Sequence, residues 1–110
     1  MAKPVAVAEC GCGADARKAS AVDPGAKSRN LNRLKRIEGQ VRGLQRMVEG
    51  ERYCADILTQ LSSVQEALRA VGRELMRNHL KHCAAEAIRA GGAPAYQMYE
   101  ELVELMERHR

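Results

Sequence analysis

At 110 residues, 45% of them apolar but none of them Trp or Phe, the chain has material for one modest domain with an aliphatic core, and a core that thin favours association. The net charge of +4 is too small to declare a partner by itself, so the placement of charge carries the information. The opening residues hold no apolar run beyond Val5 to Ala8, less than secretion or membrane insertion requires; the expected location is the cytoplasm, with no membrane partner.

Residues 1–27 are rich in Ala, Gly, Pro and Asp without sustained periodicity, and are expected to form a disordered tail ahead of a helical domain over 28–110. From Asn30 the pattern changes. Leu31, Leu34, Ile37, Val41, Leu44 and Met47 or Val48 recur at three- and four-residue steps, with Ser28 or Asn30 as N-cap and Gly50 as the stop. Gly39 and Gly43 inside this first helix each cost up to about 1 kcal/mol against Ala, and a close approach to another helix would account for them. Tyr53, Ile57, Leu61, Val64, Leu68, Val71 and Leu75 line a second helix, and no Pro interrupts the chain before Pro94; the expected helix is long, about 52–89. Gly91-Gly92-Ala93-Pro94 ends it, and Tyr96, Tyr99, Leu102, Val103, Leu105 and Met106 line a short third helix made acidic by Glu100, Glu101, Glu104 and Glu107. There is no strand signal and no repeat, so the fold class is all-α, with three helices per chain.

The four cysteines fall as Cys10-Gly11-Cys12 in the tail and as Cys54 and Cys83 in the second helix, a poor disulfide framework and a better set of reduced thiols. Two thiolates and the imidazole of His79 form a soft donor set suited to Cu(I) or Zn(II). At about 100° per residue, with Cys54 at 0°, His79 falls near −20° and Cys83 near +20°, all on the apolar face. His79 and Cys83 are one turn apart, but Cys54 is about 37 Å away along the same helix, so one continuous helix cannot close the site. If two copies of the helix pack antiparallel, with the two-fold axis near Ala67 and Leu68, Cys54 of one meets His79 and Cys83 of the other, giving two equivalent sites per dimer. A buried Cys on such a face also serves simply as a small hydrophobe, and His-x-x-x-Cys arises by chance in many helices; the agreement in face of Cys54 favours the metal reading. His82 points away from Cys83, and His109 lies near the terminus, so neither is taken as a ligand.

Lys27 to Arg46 carries Lys27, Arg29, Arg33, Lys35, Arg36, Arg42 and Arg46 against the single acid Glu38. Arg29, Arg33 and Arg36, at i, i+4 and i+7, put three guanidinium groups in a row for phosphate contact, and dimerisation doubles the patch. A row of Arg can also be plain solvated surface, but the concentration of one sign on one helix points to nucleic acid. No helix-turn-helix is evident. Recognition of DNA would rest on phosphate positioning and shape, assisted by Lys35, Arg42 and the polar side chain of Gln40.

The stretches Asn32-Arg33-Leu34-Lys35-Arg36-Ile37-Glu38-Gly39-Gln40-Val41-Arg42-Gly43, Arg52-Tyr53-Cys54-Ala55-Asp56-Ile57-Leu58-Thr59-Gln60 and His79-Leu80-Lys81-His82-Cys83 resemble the copper-sensitive operon repressor family, which also contains nickel/cobalt, formaldehyde and persulfide sensors. The resemblance spans about residues 28–107. It implies an antiparallel four-helix-bundle dimer assembling to a homotetramer, which binds double-stranded operator DNA when metal-free, is released by copper, and so derepresses copper export or resistance genes. Cys54, His79 and Cys83 match the Cys-His-Cys set of the copper sensors, implying Cu(I) as the bound ion; a persulfide sensor would carry Cys in place of His79, and the nickel sensors add an N-terminal His that is missing around Val22. The resemblance further implies supporting roles behind the ligands for Tyr53 and for a glutamate of the third helix, Glu100 or Glu101, and points to Arg33 for DNA.

Cys10-Gly11-Cys12 departs from the family pattern. It is read as an unordered pair of reactive thiols, the alternative being a tail that captures or donates copper. A sensor of another signal on the same frame is the principal rival, and a copper carrier built on Cys10 and Cys12 a lesser one. Catalysis by Cys54 or Cys83 with His79 as base lacks a carboxylate orienter and an oxyanion feature, so no enzyme is expected.

Overall fold

The structure, a computed structural model, describes residues 17–108. Among these residues every regular element is helical, in agreement with the all-α expectation. Helix α1 spans Pro24–Glu49. Its start lies inside the stretch expected to be tail, and neither Ser28 nor Asn30 caps it. Asp23 is the N-cap, extended at φ −68° and ψ 119°, with Pro24 in the first turn. Proline presets the helical φ and lacks the N–H that a first turn leaves unpaired, so the helix begins there without an apolar signal. The Lys27 N–H closes that turn on the Asp23 carbonyl at 3.0 Å. Asn30 is buried in the helix interior, alongside Ala26 and Ile37.

The chain leaves α1 at Gly50, as expected, but the left-handed residue is Glu51, at φ 53°. Its N–H donates to the Val48 carbonyl at 3.1 Å, and the Arg52 N–H donates to the Met47 carbonyl at 3.0 Å. These are the two bonds that satisfy the last carbonyls of a helix closed by a left-handed cap. At Gly50 a Cβ would make a tight contact, 3.2 Å from the Arg46 carbonyl oxygen.

Helix α2, Cys54–Asn78, returns against α1. Ile37 of α1 packs on Val64 and Val71 of α2, with Leu44 and Ala67 beside them. The long second helix continues past Asn78, but not as regular α-helix. His79–Ala84 is a π-helical turn, followed by the short helix α3, Ala85–Ala90. A π turn inserts one residue and is wound more loosely than an α-helix, so the uniform rotation of about 100° per residue used to project Cys83 applies only as far as His79. Gly91 and Gly92, at φ 73° and 60°, break the rod, and α4, Gly92–Arg108, folds back against α3.

The hairpin uses only part of its apolar surface. On α2, Leu58, Leu68 and Leu75 remain 61%, 46% and 57% exposed; by helical projection they share a flank with Cys54 and Leu61, beside the Val64 and Val71 stripe. On α1, Leu31, Leu34 and Val41 are exposed on one flank of the Ile37 stripe, while Arg29, Arg33, Arg36 and Gln40 project to the other. The close approach expected at Gly39 and Gly43 is not made within this chain: a Cβ on Gly39 would meet nothing within 4 Å, and one on Gly43 would meet only the Arg46 guanidinium, at 4.0 Å.

Candidate metal centre and basic face

His79 and Cys83 belong to the same π turn, His79 as its first residue. The His79 side chain is mostly buried, and its Nε2 atom lies 3.4 Å from Oε2 of Glu101, on α4. That approach lacks hydrogen-bond geometry, and Nε2 is buried without a partner. A buried imidazole nitrogen with nothing to bond costs free energy, and a carboxylate this near needs only a small shift to accept its proton. Glu101, not Glu100, is therefore the glutamate that the α3–α4 turn brings to His79. Which ring nitrogen carries the proton is set by what Nε2 meets.

Cys83 is a half-buried free thiol and Cys54 an exposed one. The Ser20 backbone N–H donates to Cys83 Sγ at 3.4 Å. Cys54 opens α2 at the far end of the rod, about 37 Å from His79 along the helix, and among the described residues no three His, Cys, Asp or Glu side chains of this one chain gather into a metal site. Tyr53 precedes Cys54 and is 73% exposed; its carbonyl accepts the N–H groups of Asp56 and Ile57 at the start of α2. The structure thus places Glu101 against His79, sets Cys83 in the same π turn as His79, and leaves Cys54 and Tyr53 as an exposed pair at the opposite end. The donor chemistry fits a soft ion of low coordination number: two thiols, one imidazole, and no further carboxylate or amide among the three positions. Cys10 and Cys12 lie outside the described residues.

On the basic helix the residues behave differently from one another. Arg29 reaches across the hairpin to Glu74 at 3.4 Å, so its charge is tied into the fold. Arg42 pairs with Glu38 one turn earlier, at 3.2 Å, with both side chains well exposed; such a pair contributes little to stability and opens readily. Lys35 and Arg36 are exposed and Arg33 is half-buried. Gln40 lines an open groove of about 370 Å³ with Gly43, Arg46, Met47, Arg52 and Gln60. Arg52 and Gln60 join this basic groove only because the turn at Gly50 folds α2 back onto α1, which no local pattern announces.

A family model described as metal-sensitive transcriptional repressor matches residues 26–108. The chain is 49% identical to the copper-sensing transcriptional repressor CsoR of Bacillus subtilis over 82 residues, covering 74% of this chain and 79% of that protein. It is likewise 49% identical to the copper-sensing transcriptional repressor RicR of Mycobacterium tuberculosis over 69 residues, 63% of this chain and 72% of that one. Among solved structures, the copper-sensing repressor CsoR with Cu(I) from Geobacillus thermodenitrificans superposes with a TM-score of 0.71 at 46% identity, covering 80% of this chain and 90% of that chain. A variant of the formaldehyde-responsive regulator FrmR from Salmonella enterica superposes with a TM-score of 0.64 at 28% identity, covering 82% and 100%.

Proposed function

Since this chain belongs to the metal-sensitive transcriptional repressor family, we propose that it is a cytoplasmic Cu(I)-responsive repressor, which holds operator DNA in the metal-free state and leaves it when copper binds. Cys54 of one protomer with His79 and Cys83 of the other are the ligands. Glu101 and Tyr53 support them from behind, and two sites form per dimer. Arg33, Lys35, Arg36 and Gln40 meet double-stranded DNA, with Arg42 able to join by releasing Glu38, and Arg29 anchoring the row to Glu74.

The observation that carries this reading is the separation of the donors: His79 and Cys83 share one π turn at one end of the rod, and Cys54 lies exposed at the other. An exposed flank of Leu58, Leu61, Leu68 and Leu75 runs between them. A chain of this form is completed by a second, antiparallel copy, which covers the leucines and joins the two ends in one operation. Two such dimers make the tetramer, burying the apolar flank of α1. Copper then acts by favouring the dimer geometry in which ligands from both chains are joined. The basic faces of the two α1 helices move as that geometry changes, and their match to DNA is lost. Coupling of this kind is typically about 1–3 kcal/mol, and by reciprocity DNA weakens copper binding by the same factor.

The test is an anaerobic Cu(I) titration of the protein on its own promoter DNA, followed by anisotropy, with Zn(II), Ni(II) and formaldehyde in parallel. Release at one Cu(I) per protomer and retention with the others is the expected result. Release by nickel or formaldehyde alone would assign the frame to a different signal.

A further inference from the structure

The segment leading into α1 is fastened to the candidate ligand cluster by contacts that run 55 to 63 residues along the chain. Asn78, immediately before His79, brackets it from both sides. Its Oδ1 accepts the Asp23 N–H at 3.1 Å, and its Nδ2 donates to the Ala21 carbonyl at 3.0 Å. One residue further out, the Ser20 N–H rests on Cys83 Sγ at 3.4 Å. Asp23 is also the N-cap of α1, and its carbonyl closes the first helical turn. One turn before Asn78 on α2, Glu74 holds Arg29 of α1. The start of the basic helix is thus held by residues directly before and within the π turn, in the same chain, without passing through the Val64–Val71 core or α4.

Resting on the reading of Cys83 as a ligand, we propose that Ser20–Asp23 is a latch, with Asn78 its positioning residue, that reports the state of Cys83 to the N-terminus of α1. In the metal-free protein the latch is closed, the first turn of α1 is fixed, and the basic row is presented to DNA. When Cys83 joins a shared site on the exposed flank, its sulfur turns toward the partner chain and away from the Ser20 N–H. The bracket at Asn78 is then strained, and the cap of α1 loosens. The hydrogen bonds involved are solvent-accessible, hence individually weak and able to open without unfolding the hairpin. Asn suits position 78 because it carries a donor and an acceptor on separate atoms of one short side chain.

Two full-length variants test this, Asn78→Ala, which removes the bracket, and Ser20→Pro, which removes the N–H that meets the sulfur and leaves both partners of Asn78 in place. Three quantities are read: Cu(I) affinity by chelator competition, DNA affinity with and without copper, and amide hydrogen exchange. Both variants should keep copper affinity within about threefold. The ratio of metal-free to copper-loaded DNA affinity, about 5- to 150-fold for typical allosteric coupling, should fall below about threefold. The Asp23 amide should be protected in the metal-free parent, lose protection on copper loading, and be unprotected throughout in Asn78→Ala. A variant that is merely less stable yet keeps the parental ratio would overturn the latch by reducing Asn78 to a structural residue. If copper fails to release the parent protein from DNA, the copper-sensor reading falls. The latch is then judged on exchange in the metal-free chain alone, where equal Asp23 rates in parent and Asn78→Ala would refute it.

Discussion

His79 concentrates the consequences of the proposed site in one side chain, because one ring nitrogen is offered to a metal while the other faces Glu101. Truncation to Ala leaves Cys54 and Cys83, and two thiolates can hold Cu(I) in linear two-coordination. His79→Ala is therefore expected to bind one Cu(I) per protomer, as read by X-ray absorption, and to bind the operator, yet to stay on DNA when copper is added. Copper-driven dissociation equal to that of the parent would remove His79 from the mechanism. The acidic helix offers a sharper comparison. Glu101→Ala should lower the copper response severalfold, whereas Glu100→Ala should leave it within about twofold, because a group that orients a ligand typically matters by about 10- to 100-fold in affinity or activity and an exposed neighbour does not. Equal effects of the two substitutions in the anisotropy assay would show that contact with His79 is not what α4 contributes. The choice between these glutamates was not legible from spacing, since both sit in the same turn of an acidic helix; it depends on how Gly91 and Gly92 set the return of α4.

Helix α1 divides around its axis into a stripe for α2, an apolar flank and a basic flank, and its predictions follow from that division. Arg33→Ala should weaken operator binding and lower the slope of log affinity against log salt by about 1 for each phosphate that is no longer neutralised, without changing copper affinity or helix content. An unchanged slope would take α1 out of the DNA interface. At the other end of the element, Glu51 holds a left-handed conformation that costs an L-residue about 1–2 kcal/mol and glycine far less. Glu51→Gly should thus raise stability against urea by about 0.5–1 kcal/mol after glycine's greater loss of chain entropy is subtracted, with no effect on either ligand. A fall in the urea midpoint would mean that the Glu51 side chain makes a contact that compensates its backbone. The position of this turn could be read from Glu49-Gly50-Glu51, but not which residue would take the unusual φ. Pattern identifies where a helix cannot continue, while the hydrogen bonds back to Val48 and Met47 decide the geometry of the exit.

At the scale of the molecule, the separation of Cys54 from His79 and Cys83 predicts complementation. A Cys54→Ala protomer mixed with a Cys83→Ala protomer should form heterodimers with one intact copper site, whereas each homodimer has none. The measurement is copper stoichiometry of the purified mixed dimer, tagged differently on each chain. Complete loss of copper in that species would place all ligands within one chain. The exposed leucines on α2 and the exposed apolar flank of α1 are the surfaces that the proposed oligomer would cover, so sedimentation should show no monomer while copper binding is intact.

Periodicity alone determined that this chain is helical, that breaks fall at Gly50 and at Gly91-Gly92, and that Cys54, His79 and Cys83 belong to one long rod. These features depend on local spacing, turn chemistry and residue type, all of which are written along the chain. Only the tertiary structure decided that the rod widens into a π turn at His79–Ala84, that Glu101 faces His79, and that Asn78 brackets the entry to α1. The last two depend on contacts between residues far apart in sequence. A helical pattern looks the same with or without one inserted residue until the surrounding packing selects its register.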